Sequence, residues 1–192
     1  MHLKFANYLQ SYLVIYVETK STPNTKYILT HFRHNVKLYK YNITMKTIKN
    51  IIIIFGPLIC GIIVVFLTKS SIYSDLTKPP FSPPGIAFPI AWGILYLLMG
   101  ISSYLIIKET NNVSTLKTYI AQLIINLIWP FLFFNLKIYY FSAIWLSLLI
   151  YLVLIMIKEF FKIKKIASYL QFPYLLWLLF ALYLNLGVAF LN

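Results

Sequence analysis

Acid is nearly missing from this chain of 192 residues: four Asp and Glu stand against 17 Lys and Arg. All four, Glu18, Asp75, Glu109 and Glu159, fall in segments that read as loops or helix ends. No apolar run carries a carboxylate, lysine or arginine at its centre, which argues against a proton- or ion-coupled transporter built on intramembrane relays. Cysteine occurs once, as Cys60 inside an apolar run, so an intramolecular disulfide is excluded and the thiol reads as packing. The three histidines, His2, His31 and His34, all precede the first long apolar run; His31 and His34 are close, but two ligands without a scaffold make no metal site, and none is expected. Arg33 is the sole arginine, and no transit peptide or cleavable presequence is visible.

What fills the space is apolar. Sixty per cent of residues are hydrophobic, 11% are charged and the mean hydropathy is +0.78, against about one quarter charged in soluble domains. Five apolar segments, about 48–67, 88–107, 118–134, 139–157 and 170–191, each approach the length needed to cross a bilayer. The expected fold is therefore all-α: a polytopic membrane protein, a five-transmembrane-helix bundle with a proline-rich loop between helices 1 and 2. Residues 1–44 are basic, lack a sustained apolar run and read as a poorly ordered extension; Leu13 to Val17 is too short for a span. The domain proper is 45–192, and Met45, just ahead of the first span, resembles a chain start. The residues 135–138 make the third and fourth helices an antiparallel hairpin.

Lysines orient the bundle. Lys46, Lys49, Lys108, Lys117, Lys158, Lys162, Lys164 and Lys165 fall on one side, against Lys69, Lys78 and Lys137 on the other. The positive-inside rule then places the N-terminus in the cytoplasm and the C-terminus outside, and a bacterial cytoplasmic membrane suits that asymmetry. The same asymmetry accounts for the net charge of +13 without nucleic acid, for which no soluble basic module exists. The lipid bilayer, with its anionic headgroups, is the natural partner of such charge.

The loop and three helix faces carry what chemistry there is. Pro79, Pro80, Pro83 and Pro84 forbid helix and stiffen the loop, which also bears Tyr73, Phe81 and Phe88. It reads either as a lid folded over the bundle or as an interfacial connector without a ligand. On the second span Trp92, Tyr96, Met99 and Ser103 share a face; on the third, Gln122, Asn126, Trp129 and Phe133; on the fifth, Tyr174, Trp177, Ala181 and Asn185. Pro130 cannot donate to the Asn126 carbonyl, so the third helix is expected to kink there. Each stripe alone is explained by helix packing. Three together with a lid suit a cavity for a planar, apolar, weakly polar-edged molecule. Gly56, Cys60, Gly93 and Gly100 offer small faces for close helix approach.

The runs Tyr73-x-x-Leu76-x-Lys78-Pro79-x-Phe81-x-Pro83-Pro84, Trp92-x-x-Leu95-Tyr96-x-x-Met99, Gln122-x-x-x-Asn126-x-x-Trp129-Pro130 and Pro173-Tyr174-x-x-Trp177-x-x-x-Ala181-x-x-Leu184-Asn185 resemble the TspO/MBR family of tryptophan-rich sensory proteins and translocator proteins. The resemblance covers about residues 48–192. It implies a five-helix bundle, commonly a homodimer, that binds porphyrin or haem beneath the first loop and acts as sensor, scavenger or transporter, with no cofactor required for activity. Carried across, the ligand-binding residues would be Tyr73, Pro83, Trp92, Tyr96, Gln122, Asn126, Trp129, Trp177 and Ala181. For some relatives a light-dependent porphyrin breakdown has been proposed, and by that analogy Trp92 and Trp177 would be the catalytic candidates. A regulatory partner of other membrane proteins is a third reading. The missing nucleophile–base pair and metal constellation favour binding over catalysis.

Departures from the family pattern bear on this. Ile72 and Phe81 stand where the family often has tryptophan, which removes two indole N–H groups from the loop. Trp145 stands where animal relatives carry an acid, and no basic residue follows Tyr183, so sterol binding through a C-terminal pattern is not expected.

Overall fold

A computed structural model of the protein describes residues 23–68, 73, 75–110 and 114–192. The readings made above for His2, Leu13–Val17 and Ile72 lie outside these residues. The described residues are helical and loop, with no strand among them. Helices are α1 (Pro23–Leu67), α2 (Ala87–Glu109), α3 (Ser114–Pro130), α4 (Tyr139–Ile163), α5 (Lys165–Tyr169) and α6 (Phe172–Leu191). Among the described residues five helical stretches are long and apolar enough to cross a membrane: 34–67, α2, 116–135, α4 and the α5–α6 stretch from Lys165 to Leu191. This is an integral membrane protein with the five spans expected.

Sequence character changes near residue 44, but the backbone does not. No Gly or Pro occurs between Pro23 and Gly56, so nothing interrupts helix propagation outward from the first span. Proline at the first helical position costs nothing there, because its missing N–H would be unpaired anyway. The chain divides into two compact units, residues 1–49 and 50–192; the loop, the part of the first span from residue 50 onward and the other four spans belong to the second.

Within that second unit, two helices are irregular where the sequence predicts it or nearly so. Pro130 ends the α-helical ladder of α3, and the chain continues as one π-helical turn, Phe131–Asn135, closed by Leu136 N–H donating to Phe131 O at 2.9 Å. Lys137, at φ 57, turns the chain sharply into α4. The fifth span is longer than its apolar run: it starts at Lys165, breaks at Leu170–Gln171 and resumes with Pro173 in the first turn of α6.

Helix α4 lies along both α3 and α6, and its buried stripe Leu146, Leu149, Val153, Met156 and Phe160 forms the middle of the core. Met99 from α2 and Tyr174 and Leu178 from α6 complete it, each fully buried. Helix α1 is held close by glycine. A Cβ on Gly100 would fall 1.8 Å from the Ile54 carbonyl oxygen, and one on Gly61 would fall 2.2 Å from the Tyr96 ring. Gly56 and Gly93, grouped with Gly100 from sequence, have no neighbour within 4 Å of such a Cβ. At the opposite end from the loop, Lys164 pairs with Glu109 and Ser102 Oγ donates to Ala167 O at 2.7 Å, joining α2 to the α4–α5 junction.

Candidate ligand-binding site

The loop is fastened to α6 before it reaches the site. Thr77 N–H donates to Asn192 Oδ1 at 3.0 Å, and Asn192 Nδ2 donates back to Thr77 O at 2.9 Å. Tyr183 O–H donates to Pro80 O at 2.8 Å. Pro79 is buried against Gly187, where a Cβ would meet its ring at 2.4 Å. Prolines supply no N–H, so the anchoring runs through the Thr77 peptide and the Pro80 carbonyl. Phe81, at φ 62, turns its ring outward and is 91% exposed; of the three loop aromatics, Tyr73 and Phe88 alone face inward, in edge contact at 4.9 Å.

Beneath the anchored loop lies a cavity of about 590 Å³. Its walls are the last turns of α1 (Gly61, Val64, Val65 and Thr68), the start of α2 (Phe88, Pro89, Trp92 and Tyr96) and the π-turn end of α3 (Trp129, Pro130 and Phe134). The loop adds Tyr73, Lys78 and Pro83 to Gly85. Aromatic faces dominate: Trp92 lies against Tyr96 at 5.4 Å between centroids, and Trp129 stacks on Phe133 at 5.3 Å. Among the described residues Lys78 is the one charged side chain of the lining, its Nζ 4.9 Å from the centre of the Tyr73 ring. Burial pushes the Tyr73 hydroxyl above the usual phenol range, with Ser82 pulling it partly back, so it stays a neutral O–H at physiological pH.

Of the residues singled out from sequence, Tyr73, Pro83, Trp92, Tyr96 and Trp129 converge on this cavity. Gln122, Asn126, Trp177 and Ala181 do not line it. The two amides are committed to one another's neighbours: Tyr96 O–H donates to Asn126 Oδ1 at 2.7 Å, Asn126 Nδ2 to the Tyr174 hydroxyl at 2.9 Å, and Tyr174 O–H to Gln122 Oε1 at 3.0 Å. Asn185 is likewise engaged, accepting from Trp129 Nε1 at 3.0 Å and donating to Tyr139 O at 2.8 Å. These chains tie α2, α3, α4 and α6 together in the core, where an unpaired amide would cost several kcal/mol. Trp177 stands one layer behind, 6.0 Å from Phe88, beside a shallow apolar groove between α2 and α6. Ala181 is buried in the core.

Sequence reasoning did not pick out the α1 wall, nor Lys78, Phe88, Pro130 and Phe134 as lining. The α1 segment is so uniformly apolar that no face stands out; Gly61 was the one available signal. Lys78 lay in plain view within the proline motif.

A bundle of five membrane helices with an aromatic cavity under an anchored proline-rich loop defines a class of small polytopic membrane protein with a ligand-sized internal space. The family profile of TspO/MBR matches residues 53–191, and the chain belongs to that family. It is 39% identical over 128 residues to a translocator protein homolog of Schizosaccharomyces pombe, covering 62% of this chain and 77% of that one. Tryptophan-rich protein TspO of Archaeoglobus fulgidus is 33% identical over 153 residues, 77% of this chain and 99% of its own. Human translocator protein is 33% identical over 118 residues, 59% of this chain and 70% of its own.

Proposed function

We propose that the protein binds a planar tetrapyrrole, porphyrin or haem, in the cavity beneath the loop, and serves as a sensor, scavenger or carrier of it without breaking a bond. The observation that carries this reading is the lining itself: five aromatic side chains from α2 and from α3 with its π-turn, Phe88, Trp92, Tyr96, Trp129 and Phe134, around about 590 Å³, with the Lys78 cation at the loop side. Flat apolar ligands gain from offset and edge contacts with such rings, and the volume lies within the range of small-molecule sites. The family membership supports a bundle built for this, and the lysine asymmetry supports a loop on the non-cytoplasmic face.

Protoporphyrin IX titrated in the dark into detergent-solubilised protein tests it. Trp92 and Trp129 line the cavity, whereas Trp145 and Trp177 do not, so quenching is expected to saturate and to lose about half its amplitude in Trp92→Phe. Absence of saturable binding at micromolar porphyrin refutes the proposal.

A further inference from the structure

Away from the cavity, at the end of the bundle opposite the loop, the outer surface where α4 meets α5 and α6 carries a cluster that neither the core nor the proposed ligand uses. Phe161, Tyr169 and Phe172 come from three different helices and are all about half-exposed, yet their rings form a continuous ladder, 6.1 Å and then 6.2 Å between centroids. Lys165 Nζ lies 5.5 Å from the centre of the Phe161 ring. Lys158 and Lys162, exposed and four residues apart on one face of α4, flank the exposed Phe161, which neighbours Lys158 at three residues. Below Lys158 on that face are the exposed side chains of Leu154 and Tyr151, four and seven residues back.

Charge of the other sign is kept off this face. Lys164 takes up Glu109, and Glu159 is half-buried with its Oε2 sealed from solvent. Three lysines thus surround an aromatic ladder at the end of a membrane span, above an apolar track. Lysine ammonium groups seek the phosphate level of a bilayer, and rings of this kind sit at the boundary between headgroup and chain. We propose that this surface is a binding site for one anionic phospholipid: its phosphate is held among Lys158, Lys162 and Lys165, its glycerol region lies on the Phe161–Tyr169–Phe172 ladder, and an acyl chain runs past Leu154 and Tyr151. The alternative is diffuse charge that orients the bundle without holding any molecule. Diffuse charge does not require three rings from three helices to meet, edge-on and tilted, across the same spot.

The test is native mass spectrometry of the full chain released from nanodiscs of phosphatidylglycerol mixed equally with phosphatidylcholine of the same acyl chains. One phosphatidylglycerol is expected to be retained preferentially. Loss of preference is expected at about fivefold for each lysine removed, so that K158Q/K162Q/K165Q retains both lipids alike. K108Q/K117Q, which removes exposed lysines elsewhere, is expected to keep the preference; a loss per lysine equal to that of the triple variant overturns the site in favour of diffuse charge. If the triple variant does not accumulate, Lys165→Gln and Phe161→Leu decide singly, and unchanged retention in both overturns it. Millimolar inorganic phosphate is expected to leave the lipid bound, and displacement by it would show an anion site without lipid character.

Discussion

Replacing Gly61 by alanine adds one methyl group at the point where α1 crosses α2, and the structure says where it goes. The new Cβ would stand 2.2 Å from Cε2 of Tyr96, 2.6 Å from Cδ2 and 2.9 Å from Cζ. Ordinary contact begins near 3.4 Å, so either helix α1 or the Tyr96 ring must give by more than an ångström. The ring is not free to do so. Its hydroxyl donates to Asn126 at 2.7 Å, and its face lies against Trp92. Swinging it away leaves the Asn126 amide oxygen, buried at 2% exposure, without a donor. Overpacking costs about 1–3 kcal/mol, and an orphaned buried acceptor costs a further ~1–3 kcal/mol. If α1 yields instead, the cavity wall formed by Gly61, Val64 and Val65 moves and the ligand site changes shape. Thermal unfolding in detergent, followed by circular dichroism, and porphyrin titration together read both routes. Gly61→Ala is expected to lose about 2–6 kcal/mol or to weaken binding at least tenfold. Gly56→Ala, one turn and a residue away with nothing near its Cβ, is expected to be neutral or to gain up to about 1 kcal/mol from helix propensity. If Gly61→Ala melts and binds as the wild type does, the α1–α2 contact as described is wrong.

Other perturbations isolate other parts. Tyr174→Phe removes a hydroxyl that both accepts from Asn126 and donates to Gln122; about 1–3 kcal/mol of stability should be lost, with porphyrin affinity little changed because Tyr174 does not line the cavity. Lys78→Gln is expected to weaken protoporphyrin IX about three- to tenfold while leaving its dimethyl ester unaffected, and equal loss for both ligands would remove the lysine from charge recognition. Asn192→Ala breaks both bonds to the Thr77 peptide; exchange of the Thr77 amide, measured by hydrogen–deuterium exchange, should speed up about tenfold, and no change would mean the loop is held elsewhere.

The five spans, the loop between the first two and the irregularity at Pro130 were all legible, because bilayer thickness and proline geometry act on local sequence. Part of the site was legible for the same reason: Trp92, Tyr96 and Trp129 sit on faces that helical spacing reveals. What spacing does not reveal is which polar residues find one another. Gln122, Asn126 and Asn185 fit a ligand's polar edge as well as they fit a neighbouring helix, and the choice depends on whether Tyr174, Trp129 and Tyr139 arrive at hydrogen-bond distance. The α1 wall was hidden for the opposite reason. Ile51 to Leu67 is apolar on every side, so periodicity marks no inner face, and only the close approach at Gly61 does. The first helix was longer than its composition implied, since a helix already nucleated continues through polar residues until something stops it.

The separation between the paired amides of α3 and α6 and the aromatic cavity governs how a ligand would lie. The amides of Gln122, Asn126 and Asn185 already have partners in place, so drawing one towards a ligand would break a buried bond and return little. Among the described residues, the polar side chains on the cavity surface other than the indoles are the Lys78–Tyr73 pair on the loop, Thr68 just after α1, and Tyr96 at the floor. Under the proposed reading the acidic edge of a porphyrin is drawn to the loop and its apolar edge to Trp92, Trp129 and Phe134. Orientation then depends on the loop staying where α6 pins it. Asn192→Ala and Lys78→Gln should therefore be coupled: if the anchor positions the lysine, the double variant binds protoporphyrin IX no more weakly than Lys78→Gln alone. Additive losses in that cycle, beyond about 0.5 kcal/mol, would show that anchor and cation act independently.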